Sequence, residues 1–380
     1  MQNIIYEYEE IKEDLEHYKK LKNHIINTKE LHKYFTLDWK DLKAKQYCGI
    51  LNFDNQDFYI LPKIANNNEQ NLNIFIYMLM YAYDIKLSNE QIASCQNQEK
   101  HTILEVFVQM FANGFLKELK KGIYKKYITE QENLSVLKGK YLINENLKYN
   151  FTKNKIYCEY DEFSSNNNLN QFFLYTVKYL QKFVNDKKLL KQCELIFDEV
   201  DFRQIDINKI NIHFDRLNLR FKISFEIALL LLKQSIPLFN QDKKSFAFLF
   251  DMNILFEKFI AKMIKELDSN AKIQNQDEFG DLTLKPDIIL ENQIIDTKYK
   301  KIKSLEDIKQ SDKLQAFTYG INYKLGNVML LYPKHLDNIK YDLVLGKESL
   351  VNLKIRSIDL NYDENSFDRY IKEIKQNIRI

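Results

Sequence analysis

Lys285-Pro286-Asp287-Ile288-Ile289-Leu290-Glu291-Asn292-Gln293-Ile294-Ile295-Asp296-Thr297-Lys298 decides how the last third of this 380-residue chain is read. Two apolar β-like runs flank Glu291-Asn292, which reads as a two-residue hairpin turn. In that register Leu290 faces Gln293, Ile289 faces Ile294, and Asp287 lands opposite Asp296. Directly opposed residues hold their Cβ atoms about 4.5–5.5 Å apart. Lys298 lies two residues beyond Asp296 and so points to the same face. One fold of the chain therefore gathers two carboxylates and one ammonium. A longer turn would shift the pairing.

Two like charges inside apolar strands are unfavourable unless something offsets them. A divalent cation does so, and Mg²⁺ accepts one or two carboxylates together with water and phosphate oxygens. Such an ion lowers the pKa of bound water and stabilises charge on a phosphate. A lysine beside it can orient the attacking water. The chemistry this pattern points to is phosphodiester hydrolysis.

The context matters more than the pattern. Asp41-Leu42-Lys43, Glu118-Leu119-Lys120, Asp307-Ile308-Lys309 and Glu373-Ile374-Lys375 repeat the acid-x-Lys spacing. They sit in charged, helix-like surroundings that a solvated face explains. Among the four prolines, only Pro286 is followed by Asp. Glu257 falls on a predicted helix over 252–267, on the side of Ile254, Ile260 and Ile264. It is either a third metal-ligating carboxylate or the partner of a lysine. Gln315, on the following predicted helix, either bonds a site group or the water, or is an ordinary exposed glutamine.

Working outward, the region from 246 to 380 alternates helices and strands: a helix at 252–267, β-like runs at 271–276, 282–290 and 293–299, a helix at 305–323, strands at 327–332, 341–345 and 350–357, and a helix at 364–376. That is an α/β pattern with a central mixed sheet. Upstream, 6–34 is charged and helix-like, and Tyr47–Phe53 with Phe58–Pro62 reads as a hairpin about Asp54-Asn55-Gln56-Asp57. Helices follow at 72–83 and 103–120, then an extended stretch at 123–143. A domain boundary is expected near 150. It separates an N-terminal α+β domain (1–150) from 151–380, itself a helical region to about 245 and then the mixed-sheet core. Helices are expected at 170–183, 188–198 and 218–235, the last with Leu219, Ile223, Ile227 and Leu230 on one face.

Composition bounds the rest. Hydrophobic residues make up 45% and charged residues 29%, enough for a sizeable core. A net charge of +3 does not by itself argue for nucleic acid, so such contact must come from local clusters. Lys117, Lys120, Lys121, Lys125 and Lys126 form one, either a solvated helix end or a contact with DNA or an acidic partner. Cys48, Cys95, Cys158 and Cys193 lack zinc-ligand spacing and read as reduced structural thiols. The N-terminus has no signal-peptide pattern, and no apolar run approaches a bilayer span, so a cytoplasmic protein is expected. With 8 glycines there is no phosphate-binding loop. Gly139-Lys140 and Gly346-Lys347 lack its other parts, so nucleotide hydrolysis would belong to another chain.

The hairpin resembles the PD-(D/E)xK nuclease superfamily, and the ordered set of other stretches resembles the McrC family, the nuclease subunit of McrBC restriction systems. These stretches are Gly49-Ile50 to Ile60-Leu61-Pro62-Lys63-Ile64; Met78 to Asp84; Lys121-Gly122-Ile123 with Tyr127; Leu137-Lys138-Gly139-Lys140; Cys158 to Ser164 with Asn170; Arg216-Leu217-Asn218; Phe248 to Phe259; and Gln315 to Gly320. The likeness spans about 45–335. It implies a restriction-endonuclease-like core and a site of Asp287, Asp296 and Lys298 without substitution. It also implies a partner, an McrB-like hexameric AAA+ GTPase that reads modified (methylated) DNA and binds the GTP. The N-terminal region would dock on that ring and stimulate it, and two nuclease subunits would meet to cut both strands. Asp161, Asn170, Arg216 and Asn218 match family positions, with capping and packing as their expected roles. Two other readings stand beside this one, a non-catalytic activator of a ring NTPase and a stand-alone repair nuclease.

Overall fold

The computed structural model describes residues 3–11, 18–37, 42–53, 56–85, 103–152, 154–240, 243–335, 338–362 and 366–378. The chain forms two compact units, one from Met1–Ile103 with Gln234–Ile380 and one from Leu104–Lys233. The boundary expected at 150 falls inside the second unit. The reason is strand pairing: a strand at 126–134 finds its partner at 156–164, across that point.

The first unit begins with β1 (Ile4–Tyr6), a helix Tyr18–Asn27 and a short ribbon of β2 (Phe35–Leu37) and β3 (Leu42–Ala44). Only part of the helix-like 6–34 stretch is therefore helical. Ile4–Tyr6 instead pairs parallel with β5, where the sheet satisfies its backbone groups. β4 (Tyr47–Phe53) and β5 (Gln56–Leu61) form a hairpin as expected, but Gln56 and Asp57, read as part of the turn, are strand residues paired with Phe53 and Asn52; Asp54 and Asn55 lie outside the described residues. Helix Asn68–Ala82 follows, buried along most of its length.

The second unit starts with helix Ile103–Leu119, then β6 (Lys126–Leu134), β7 (Lys140–Tyr141) and β8 (Ile156–Ser164), which form one sheet in the order β6-β8-β7. Helices Asn168–Leu180, Lys188–Leu195 and Lys222–Gln234 complete it. Asn167 caps the first of these, and Asn170 donates to the Tyr124 and Ser165 carbonyls at 2.7 and 2.6 Å, a packing role. Asn218 likewise ties Asp215 and His213. On helix Lys222–Gln234 the expected apolar face is buried only in part. Leu219 and Ile223 are exposed, Ile227 is half-buried and Leu230 is buried, along with Phe225, Ala228 and Leu231. Aromatic packing decides this, since Phe225 meets Phe172 at 4.6 Å in a core that also holds Phe115, Phe173 and Phe221. Within the lysine cluster, Lys121 pairs with Glu118 at the end of helix Ile103–Leu119 and Lys125 lies near Glu199.

The chain then returns to the first unit. β9 (Ser235–Asn240) and β10 (Lys243–Asp251) extend the N-terminal sheet, giving the order β1-β5-β4-β10-β9. Asp251 caps helix Met252–Leu267, accepting from the Asn253 N–H at 2.9 Å. Next come β11 (Lys272–Ile273), the small hairpin of β12 (Asp277–Phe279) and β13 (Leu282–Leu284), then β14 (Ile288–Ile289) and β15 (Ile294–Thr297). β16 (Asn327–Pro333), β17 (Lys340–Leu345) and β18 (Val351–Ile358) complete a six-stranded mixed sheet, β11-β14-β15-β16-β18-β17. β15 and β16 are parallel, so a crossover must join them, and helix Gln310–Asn322 supplies it. The single helix expected over 305–323 is two pieces. A turn at Leu305–Asp307, closed by a Ser304/Asp307 capping box, precedes the main helix. Ala316 and Tyr319 of that helix pack on Ile294, Val328 and Leu330. Helix Phe367–Asn377 follows β18.

Gly49 in β4 shows how tightly the N-terminal sheet is built. Its φ is +145°, and a Cβ there would stand 2.1 Å from the Phe248 carbonyl oxygen of β10. Gly49→Ala is expected to cost about 2–3 kcal/mol or more. A drop in the denaturant midpoint without a change in slope checks it.

Candidate active site

The β14–β15 hairpin has the register read from the sequence. Ile288 pairs with Ile295 and Ile289 with Ile294, and the Leu290 N–H donates to the Gln293 carbonyl at 2.9 Å. Extending the same register sets Asp287 against Asp296. Asp287 lies just before β14, and its Oδ2 accepts from both the backbone N–H and the hydroxyl of Thr297, each at 2.7 Å. Those two bonds orient the carboxylate across the strands.

Asp296 is 2% exposed. Its Oδ2 meets Lys298 Nζ at 2.5 Å as an ion pair but accepts no hydrogen bond of good geometry, so it is an incompletely satisfied buried oxygen. Burial, then the charge of Asp287, pushes its carboxyl up to about 6, against the pull of Lys298. Burial acts to lower the Lys298 ammonium, but Asp296, Asp287 and Asp312 outweigh it and the net shift is upward. The lysine stays charged in a half-dry site.

Helix Gln310–Asn322 closes the other side. Lys298 Nζ donates to Gln315 Oε1 at 3.0 Å, Gln315 Nε2 donates to the Tyr319 hydroxyl at 2.8 Å, and Tyr319 donates to the Lys285 carbonyl at 3.2 Å. This chain of donors runs from the lysine back to the residue two before Asp287. Burial, then the Asp296 charge, pushes the Tyr319 phenol up to about 12, so it remains a donor. One turn earlier, Asp312 is buried and pairs with Lys300 at 2.9 Å. Of the residues anticipated, Asp287, Asp296, Lys298 and Gln315 therefore come together.

Glu257 is half-buried and accepts a hydrogen bond from Gln274 Nε2. Burial, then the Asp287 charge, raises its carboxyl, so it lies within that field. Ile254, expected on its core side, is half exposed. Among the described residues, no group of three or more His, Cys, Asp or Glu is arranged to hold a metal ion, so Asp287, Asp296 and Glu257 do not form a ready three-ligand set. Gln274, in the loop after β11, engages the glutamate instead.

Thr297, Lys300, Asp312 and Tyr319 were not singled out in the sequence. The signal was present for three of them. Asp312, Gln315 and Tyr319 follow the 3-then-4 spacing of one helical face, and Lys300 shares the parity of Lys298. Of the other acid-x-Lys motifs, Asp307 caps the 303–304 backbone and Glu118 binds Lys121. Leu42 and Lys43 lie in β3 and not in the helix-like setting expected, and Asp41 lies outside the described residues. Cys48, Cys158 and Cys193 are buried free thiols; Cys95 lies outside the described residues. No helix among the described residues is long and apolar enough to cross a membrane.

Fold and site define a mixed α/β protein whose second sheet carries paired aspartates and a lysine against a glutamine-bearing helix. Residues 42–333 match the family model described as McrBC 5-methylcytosine restriction system component, and the chain belongs to that family. Its fold is similar to that of a chain in the refined half-complex from a tetradecameric assembly of Thermococcus gammatolerans McrB AAA+ hexamers with bound McrC. The TM-score is 0.62 at 22% identity, with 99% of each chain covered. The cryo-EM structure of the Thermococcus gammatolerans McrBC complex also matches, with a TM-score of 0.50 at 24% identity over 70% of this chain and 87% of that one. No curated protein matches.

Asp296 should titrate well above the ordinary aspartate value of about 3.9. In carboxyl-carbon NMR of aspartate-labelled protein its midpoint is expected near 6. Lys298→Ala should move the midpoint higher and Asp287→Asn lower. Because the folded-state value is raised, the group's stabilising contribution is present in acid and lost as pH rises through about 6.

Proposed function

We propose that this chain is the nuclease subunit of a McrBC-type restriction complex, hydrolysing phosphodiester bonds in modified (methylated) DNA through a PD-(D/E)xK site. The observation that carries the reading is the β14–β15 register, which sets Asp287 opposite Asp296, with Lys298 ion-paired to Asp296 at 2.5 Å. A buried aspartate oxygen without full hydrogen bonding, beside a second carboxylate, fits a hard cation that takes one or two protein carboxylates. Asp287 and Asp296 would hold Mg²⁺, and Glu257 stands as the outer carboxylate near Asp287. When bound, that ion would supply an activated water and charge stabilisation at the scissile phosphate.

The chain's own residues do the rest. Thr297 fixes the Asp287 carboxylate. Gln315 and Asp296 hold the Lys298 ammonium from two sides, so its charge is preorganised for the anionic phosphate. Gln315, anchored by Tyr319, can bond the water through its amide.

Membership in the McrBC family supports a partner, an McrB-like AAA+ GTPase hexamer. GTP would be bound by that partner alone. A second copy of this chain would be needed for a double-strand cut, and the N-terminal region would dock on the ring.

Co-purification with an McrB-like GTPase, followed by cleavage assays with GTP, Mg²⁺ and methylated DNA, tests the proposal. Wild type should cut. Asp296→Ala and Lys298→Ala should each lose about 100-fold or more, while stimulation of the partner's GTPase persists. Full cleavage by both variants sinks the site. Stimulation without any wild-type cleavage points to an activator instead, and cutting without nucleotide points to a stand-alone nuclease.

A further inference from the structure

Tyr299, directly after Lys298, projects into a different neighbourhood from the lysine. Successive side chains at a strand end point to opposite faces. Lys298 faces helix Gln310–Asn322, whereas Tyr299 is buried against the N-terminal sheet's loops, all within the first unit. Its hydroxyl donates to Glu7 Oε1 at 2.5 Å. Glu7 is buried and collects two further donors, the Lys63 backbone N–H at 3.2 Å on Oε1 and the Cys48 thiol at 3.7 Å on Oε2. The Tyr8 hydroxyl donates to the Tyr299 carbonyl at 3.4 Å, and Tyr8 holds a left-handed φ of 58°. A non-glycine residue in that region needs its surroundings to hold it there. Phe256 and His335 pack on the Tyr299 ring, with centroids at 5.8 and 5.6 Å.

A buried carboxylate is costly unless it is bonded. Burial drives the Glu7 carboxyl up to about 7, against Tyr299, Lys63 and Cys48. The group serves no step of the hydrolysis described above. What it does hold is Tyr299, the residue covalently next to Lys298. Beyond β15 the lysine's N–H donates to the Leu331 carbonyl at 2.9 Å and its carbonyl accepts from the Lys300 N–H at 3.2 Å.

We infer that Glu7 and Tyr299 form a clamp by which the N-terminal sheet sets the position of the Lys298 ammonium against Asp296. Glu7 and Tyr299 are positioning residues. The inference rests on the nuclease reading for its effect on rate, but not for its effect on the lysine.

Two measurements test it. In a crystal structure of Tyr299→Phe, which keeps the ring and removes one hydroxyl, the 2.5 Å separation of Lys298 Nζ from Asp296 Oδ2 should lengthen beyond the about 4 Å of an ion pair. In the complete complex with McrB-like partner, GTP, Mg²⁺ and methylated DNA, Tyr299→Phe and Glu7→Ala should lower kcat about 10- to 100-fold, with the KM for DNA unchanged. Glu7→Gln, whose amide oxygen still accepts from Tyr299, should recover most of the rate lost in Glu7→Ala. A Lys298–Asp296 ion pair unmoved in Tyr299→Phe overturns the clamp, whether or not the wild-type complex cuts DNA. A wild-type complex that never cuts overturns the nuclease reading alone, and the structure of the variant still decides the clamp.

Discussion

The first unit's chemistry depends on bringing two aspartates face to face across a hairpin in a dry setting. Mutual repulsion and lost hydration oppose that arrangement. Three local features offset it. Thr297 gives Asp287 two short hydrogen bonds, Lys298 places a positive charge 2.5 Å from Asp296, and Lys300 and Asp312 neutralise each other nearby. The compensation is incomplete, because the Asp296 carboxyl is still pushed up to about 6 by burial and by Asp287. A site with unspent negative potential is what a cation or a positively assisted phosphate reaction needs.

The surrounding architecture keeps the hairpin in register. A one-residue slip would turn Asp296 and Lys298 to the opposite face. Parallel pairing of β15 with β16 and antiparallel pairing with β14 prevent it. The crossover helix then delivers Gln315 and Tyr319 to the lysine. Behind the strand, Tyr299 is tied to Glu7 of the N-terminal segment. The N-terminal and C-terminal parts of the first unit thus meet at the residue next to the lysine. The pairing of β10 with β4 also joins Gln234–Ile380 to Met1–Ile103, although a whole second unit intervenes in the chain.

Local sequence was enough for whatever depends on neighbours in the chain. The β14–β15 register, the helix at Met252–Leu267 and the β4–β5 hairpin follow from turn chemistry and periodicity, which act over a few residues. So does the shared face of Asp296 and Lys298. The ordered motifs likewise sufficed for the family, since the McrBC match covers the same span.

Tertiary structure decided what depends on partners distant in sequence. Strand pairing across residue 150 keeps both sides of that point in one unit, because β6 and β8 satisfy each other's backbone groups. Aromatic packing shifted the buried side of helix Lys222–Gln234, leaving Ile223 of its aliphatic stripe exposed, since Phe225 finds Phe172 only in three dimensions. Glu257 turned to Gln274 for the same reason: a glutamate's partner cannot be read from its own helix. The bond between Glu7 and Tyr299 spans 292 positions, and no local pattern encodes it. The sequence determined by itself the paired aspartates and their lysine; only the folded chain decided which residues hold that lysine still.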